Sequence, residues 1–241
     1  MFGVWSIVSP CAERTGAALV AALARSLSLH GRRVLVFDLS PTAPALDVAF
    51  GVSERVVYTL PDVGHLAPEL AVLSLPEENG EGGILFVPIA VGDEVDPSHV
   101  SSVISAVAAD VVLVRADLAA LQTARAVSDG LLLLTEADAV SLRASVHLAR
   151  SHRFDAFVLS DFQPLAEEIG REPSVTEMAD ALSLPLFGIL PRTELKNTAH
   201  PRGKDFLLAV DNMAARLTGV SVPLLRGIPI EGMRRKTFFT R

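Results

Sequence analysis

Val4-Trp5-Ser6-Ile7-Val8 runs into Ser9-Pro10-Cys11-Ala12-Glu13-Arg14-Thr15-Gly16-Ala17-Ala18, and the stretch closes on Gly31-Arg32-Arg33-Val34-Leu35-Val36-Phe37-Asp38. Val4–Val8 reads as a strand and Ala17–His30 as a helix, with Gly31 as its stop. Val34–Phe37 reads as a second strand that ends on an acid. Strand, loop, helix and strand in this order make a βαβ unit. A crossover helix of this length joins parallel strands.

The same alternation continues along the chain. Strands are expected at Ile84–Val87, Val111–Val114, Leu131–Leu134, Ala156–Leu159 and Leu186–Leu190. Helices are expected at Pro97–Ala109, Leu118–Val127, Ala139–Ser151 and Lys204–Leu217. Ser174-Val175-Thr176-Glu177 has capping-box spacing and opens a further helix through Leu182. Thr59–Gly82, rich in Pro, Gly and Glu, reads as surface loop with a short helix. The fold class is therefore α/β: a three-layer α/β/α sandwich around a mainly parallel sheet. In such a sheet, ligands sit at the carboxyl ends of the strands.

Composition agrees. The chain has 241 residues, half of them hydrophobic and 20% charged, with 5% aromatics. Its mean hydropathy is +0.41. That excludes disorder, which needs low hydrophobicity and high net charge. It fits strands buried on both faces. The apolar run Ala17–Ala24 is far short of the ~18–20 residues that cross a bilayer. The first residues carry no basic segment of the signal-peptide kind, so the expected location is the cytoplasm. A single cysteine, Cys11, excludes an internal disulfide framework and a Cys-based zinc site. The net charge of −7 argues against general or sequence-specific nucleic-acid binding, which rests on neutralising phosphates. The six histidines are scattered without metal-ligand spacing, and no Ser/His/Asp set appears, so no catalytic or metal-binding residue is assigned.

The spacing from Ser9 to Asp38 resembles the MinD/ParA family of deviant Walker P-loop ATPases (the SIMIBI class). So do Leu46-Asp47-Val48-Ala49-Phe50-Gly51, Val140-Ser141-Leu142-Arg143 and Gly188-Ile189-Leu190-Pro191. Arg55-Val56-Val57-Tyr58 looks specifically like MinD. The resemblance covers roughly residues 2–220 and is specific in layout and short segments, but not in the phosphate loop.

A working phosphate loop is glycine-rich, so that backbone N–H groups approach the phosphates, and its lysine supplies a point charge. The family has two such lysines. Here the early one is Cys11 and the later one Gly16, while the Mg-binding hydroxyl falls on Ala17. Pro10 has no N–H to donate, and Glu13 is negative where phosphate would lie. The aspartate that the family uses in hydrolysis aligns with Ser40, and its Mg-side acid aligns with Arg115. These losses leave little for phosphoryl transfer, which is positioning plus charge stabilisation.

The resemblance implies ATP or ADP with magnesium as the cofactor, and the losses predict weak binding or none. The residues that would hold it are Arg14, Thr15, Gly16 and Ala17 in the loop and at the helix start, Asp38 and Asp47 beside them, and Gln163 and Pro191 on the adenine side. A helix N-terminus at Gly16-Ala17-Ala18 keeps N–H dipoles aimed at an anion. Arg115 reads either as an exposed strand end or as a salt-bridge partner of Asp38 or Asp47, with protein charge replacing the Mg–phosphate cluster.

The chain divides into a body, residues 1–225, and a tail, residues 226–241. The tail carries +4 and the body −11. Arg234, Arg235 and Lys236 beside Phe238 and Phe239 suit an anionic membrane surface, where each basic residue contributes about 1 kcal/mol. The tail resembles a weak version of the basic segment that ends MinD proteins.

The function expected is that of a pseudo-ATPase. It would act as a spatial regulator or scaffold for division-site, polar, pilus or flagellum placement, through protein partners and peripheral contact with the inner membrane face. Two alternatives stand beside it: a divergent but active ATPase switch cycling between monomer and ATP-bound dimer, and an inactive partner subunit of a competent MinD/ParA ATPase. The resemblance implies a homodimer or such a heterodimer.

Overall fold

A computed structural model describes residues 2–11, 13–75, 82–162, 173–192 and 203–222. The elements in chain order are β1 (Val4–Val8), α1 (Glu13–Leu29), β2 (Arg33–Leu39), α2 (Leu46–Phe50), β3 (Leu73–Ser74), β4 (Gly83–Val87), α3 (Pro97–Ala106), β5 (Val111–Ala116) and α4 (Leu121–Val127). They continue with β6 (Gly130–Glu136), α5 (Ala139–Ser151), β7 (Ala156–Phe162), α6 (Val175–Leu182), β8 (Leu186–Pro191) and α7 (Lys204–Leu217).

Among the described residues the strands form one eight-stranded sheet in the order β3-β4-β2-β5-β1-β6-β7-β8. All neighbours are parallel except β3, which pairs antiparallel with β4 at the edge. The expected α/β/α sandwich is what the chain forms. Successive residues of a strand point to opposite faces, and both faces are covered. On β5, Val112, Val114 and Ala116 belong to the apolar cluster shared with α3, α4, α5 and α6, whereas Val111 and Leu113 belong to the one shared with α1, α2 and α7. This explains the continuous apolar strands. The run Ala17–Ala24 is buried throughout, because α1 lies between the sheet, α2 and α7.

Local chemistry sets the helix starts. Asp138 accepts the N–H groups of Val140 and Ser141 and opens α5. Ser174 and Glu177 form the expected capping box of α6, each side chain accepting the other's N–H. Several boundaries differ from expectation by one to four residues, and three differences have a clear local cause or consequence. α4 begins at Leu121 rather than Leu118, because Asp117 Oδ1 first gathers the N–H groups of Ala119 and Ala120 into a turn. The described residues of the Thr59–Gly82 region form two 3₁₀ turns and the edge strand β3 rather than one short helix. The third difference, at the start of α1, shapes the site.

Candidate functional site

The ligand edge of the sheet is the carboxyl end of its parallel strands. Helix α1 was expected from Ala17 but begins at Glu13. Glu13, Arg14 and Thr15 are residues that a helix accepts at little cost, whereas glycines there would have opened a loop. Arg14, Thr15, Gly16 and Ala17 are therefore inside the first turns of α1, not in a phosphate-wrapping loop. Arg14 is exposed, Thr15 half-buried, and Gly16 and Ala17 buried. The N–H donors at the helix start belong to residues before Gly16, which corrects the expected anion position at Gly16-Ala17-Ala18.

Beneath this helix start sits an ion pair. Asp38 on β2 and Arg115 on β5 are direct cross-strand partners. Strand periodicity turns both toward the α1 face, opposite to Phe37 and Val114. Arg115 Nη1 donates to Asp38 Oδ1 at 2.7 Å and to the carbonyl of Ala43 at 3.0 Å. The side chains are 3% and 1% exposed, so the pair is withdrawn from water. Asp38 Oδ2 accepts the N–H groups of Ala45 and Leu46, both at 2.9 Å, and so fixes the start of α2. Arg115 Nε lies 3.8 Å from where a Cβ on Gly16 would stand. The arginine thus lies under the first turn of α1, at ordinary van der Waals distance from that position.

Of the two alternatives for Arg115, the exposed strand end is therefore corrected: the residue is buried and paired with Asp38. Asp47 lies half-buried in the first turn of α2. Ser40 is fully buried, with no partner for its hydroxyl among the described residues. Cys11 is exposed.

The residues present do not fit magnesium with a triphosphate. The Asp38 carboxylate is committed to a guanidinium and two amides. Arg115 puts a guanidinium at this edge, and like charge repels a divalent cation. No cluster of three metal-ligating side chains occurs among the described residues.

The other end of the edge is differently built. Pro191 closes β8 opposite Phe162, across a bulge in β7. In that bulge Asp161 takes a left-handed backbone, φ 58°, which is strained for a residue with a Cβ. Arg192, next to Pro191, grips Asp161 with two bonds of 2.6 Å, from Nε to Oδ1 and from Nη2 to Oδ2. Glu136, at the end of β6, has its carboxyl pushed above the ordinary range, first by burial and then by Asp138 and Asp161. Gln163 and the tail residues Arg234, Arg235, Lys236, Phe238 and Phe239 lie outside the described residues.

Asp117, Asp161, Arg192 and Glu136 were not found from the sequence. Asp117 Oδ2 accepts from the Thr42 N–H and hydroxyl, and so ties the loop after β5 to the loop after β2. The one available signal was position, since each stands within two residues of a strand end.

A parallel sheet whose first strand passes through a short connection into a buried helix, with charged residues at the neighbouring strand ends, is the P-loop NTPase class of fold. The particular fold is that of the MinD and ParA ATPases. A chain of the MinC:MinD cell division complex of Aquifex aeolicus superposes with TM-score 0.80 at 24% identity, covering 92% of this chain and 98% of that one. The cell division ATPase MinD of Pyrococcus furiosus gives TM-score 0.70 at 20% identity, over 90% of this chain and 100% of the other. A ParA family ATPase of Chlorobium tepidum gives TM-score 0.63 at 17% identity, over 92% and 95%. No family model matches the sequence, and no curated protein does.

Proposed function

We propose that this chain is a MinD/ParA-like pseudo-ATPase: a spatial regulator or scaffold for division-site, polar or surface-machine placement that works through protein partners, without nucleotide turnover. The observation that carries this reading is the buried Asp38–Arg115 pair. In an ATPase of this fold, magnesium and phosphate bring opposite charges together at the strand ends. Here the protein supplies both charges itself. The arrangement of β2, α2 and the start of α1 is then held by a permanent ion pair rather than by a ligand that comes and goes.

Association follows from the same reasoning. A homodimer, or a heterodimer with a competent relative, rests on protein–protein contacts, because the early loop lysine is Cys11. The tail is the membrane element of the proposal, with Arg234, Arg235, Lys236, Phe238 and Phe239 on the lipid surface. No helix among the described residues is long and apolar enough to cross a membrane.

The test is phosphate release from Mg-ATP by the full chain, with and without anionic vesicles. The expected result is release at the background rate in both cases. Turnover above background that a chelator abolishes would establish the divergent active switch instead. Vesicle co-sedimentation should be lost when residues 226–241 are removed, and retention without them would refute the membrane role of the tail.

A further inference from the structure

Helix α5 carries a basic face on an acidic protein. Residues 139–153 contain Arg143, Arg150 and Arg153, with His147 and His152, and no acid. Arg143, His147 and Arg150 recur at i, i+4 and i+7 and therefore share one side of the helix. All three are exposed. They form one wall of a cavity of about 370 Å³ between α5 and α6, whose apolar lining includes Leu142, Val146 and Ala181. α6 also carries Glu177 and Asp180, but neither lines this groove. The Glu177 carboxylate is turned back onto the Ser174 N–H.

An apolar floor beside a row of basic side chains is a two-part recognition surface. The floor takes apolar side chains spaced at i and i+3 or i+4, and the wall takes carboxylates. The basic row extends about 10 Å along the helix at 1.5 Å per residue, which matches two turns of a bound helix. A basic ligand is repelled by the wall, and this chain's own +4 tail is one such segment.

We infer that the α5–α6 groove docks an acidic amphipathic segment of a protein partner, with its carboxylates on Arg143, His147 and Arg150 and its apolar residues on Leu142, Val146 and Ala181. This site lies apart from the Asp38–Arg115 region, and the inference stands whether or not the chain turns over nucleotide.

The test is selection of a random peptide display library on the intact protein, followed by fluorescence anisotropy of the enriched peptides. The expected peptides are rich in Asp and Glu, with apolar residues at helical spacing. Their affinity should fall at least tenfold for Arg143→Glu/Arg150→Glu and for Val146→Asp. The charge-reversed double variant should in turn prefer Lys-rich peptides of the same apolar pattern. Both variants change exposed or half-buried side chains, so an unchanged melting temperature serves as the folding control. Enrichment of basic or uncharged peptides would overturn the inference. So would equal binding to the Arg143→Glu/Arg150→Glu protein. Two other occupants are also distinguishable: anionic vesicle binding, or concentration-dependent dimerisation, that depends on Arg143 and Arg150 while no acidic peptide binds would refute it.

Discussion

Two aspartate–arginine pairs stand on the same sheet edge and do different work. Asp38–Arg115 is almost wholly buried between β2 and β5 under α1, whereas Asp161–Arg192 lies at the β7–β8 end with its side chains 39% and 44% exposed. The exposed pair has the better geometry, a two-bond fork at 2.6 Å. Its charges nevertheless interact across water and are screened by salt, so such pairs contribute about 0–1 kcal/mol. The buried pair has given up its hydration, and its two charges meet in the protein interior. Breaking one member of such a pair costs about 3–5 kcal/mol, because an uncompensated charge stays buried. Burial, more than bond count, decides which pair holds the fold.

This contrast can be broken experimentally. The largest effect is expected from Arg115→Ala. It should lower stability by about 3–5 kcal/mol, or a melting temperature roughly 10 °C lower in a domain of this size. The double variant Asp38→Asn/Arg115→Met comes next. It removes both charges, keeps an acceptor for Ala45 and Leu46, and fills the arginine's space with a side chain of similar length. Thermal unfolding should show it recovering at least half of the single variant's loss. A double variant as unstable as the single one would mean that the charge pair is not what Arg115 contributes.

Arg192→Ala should change stability by less than about 1 kcal/mol, and the change should vanish in 1 M salt. An Arg192 effect as large as that of Arg115 would erase the distinction between the two pairs.

The smallest effect concerns Glu136. Its folded-state carboxyl titrates above the unfolded one, so the folded protein favours the protonated form. Relative stability is therefore full below the unfolded value and is lost as pH rises through the folded value. Glu136→Gln should stabilise the protein slightly at neutral pH, by no more than about 2 °C, and the gain should disappear in acid as the native carboxyl protonates.

The sheet was legible in the sequence because apolar runs buried on both faces leave a strong signal, and the crossover helices between them leave parallel pairing as the solution. Arg115 and Asp38 were recognisable as a candidate pair because strand alternation and the shared edge bring them close. What the sequence left open was which acid Arg115 takes. Register decides it: Asp38 stands directly across, while Asp47 sits in α2.

The start of α1 was misplaced for a definable reason. The expectation was anchored on a loop pattern from Ser9 to Ala18, although residues 13–15 have the propensity of a helix. The Asp161–Arg192 fork was invisible, because it depends on a β-bulge and a left-handed aspartate that no periodicity announces. The α5–α6 groove was half-legible: Arg143 and His147 could be placed on one helix face, but the facing wall required the packing of α6.

In the proposed reading, the protein's own ion pair stands in for magnesium and phosphate. The most direct measurement is the melting temperature of the unmodified chain across a titration of Mg-ATP, with Mg-free ATP as the control. A ligand at 100 times its dissociation constant stabilises a fold by about 2.7 kcal/mol, which in a domain of this size is a rise of about 5–10 °C. No magnesium-dependent rise is expected at millimolar nucleotide. A saturable rise of that size that requires magnesium would contradict the proposed reading.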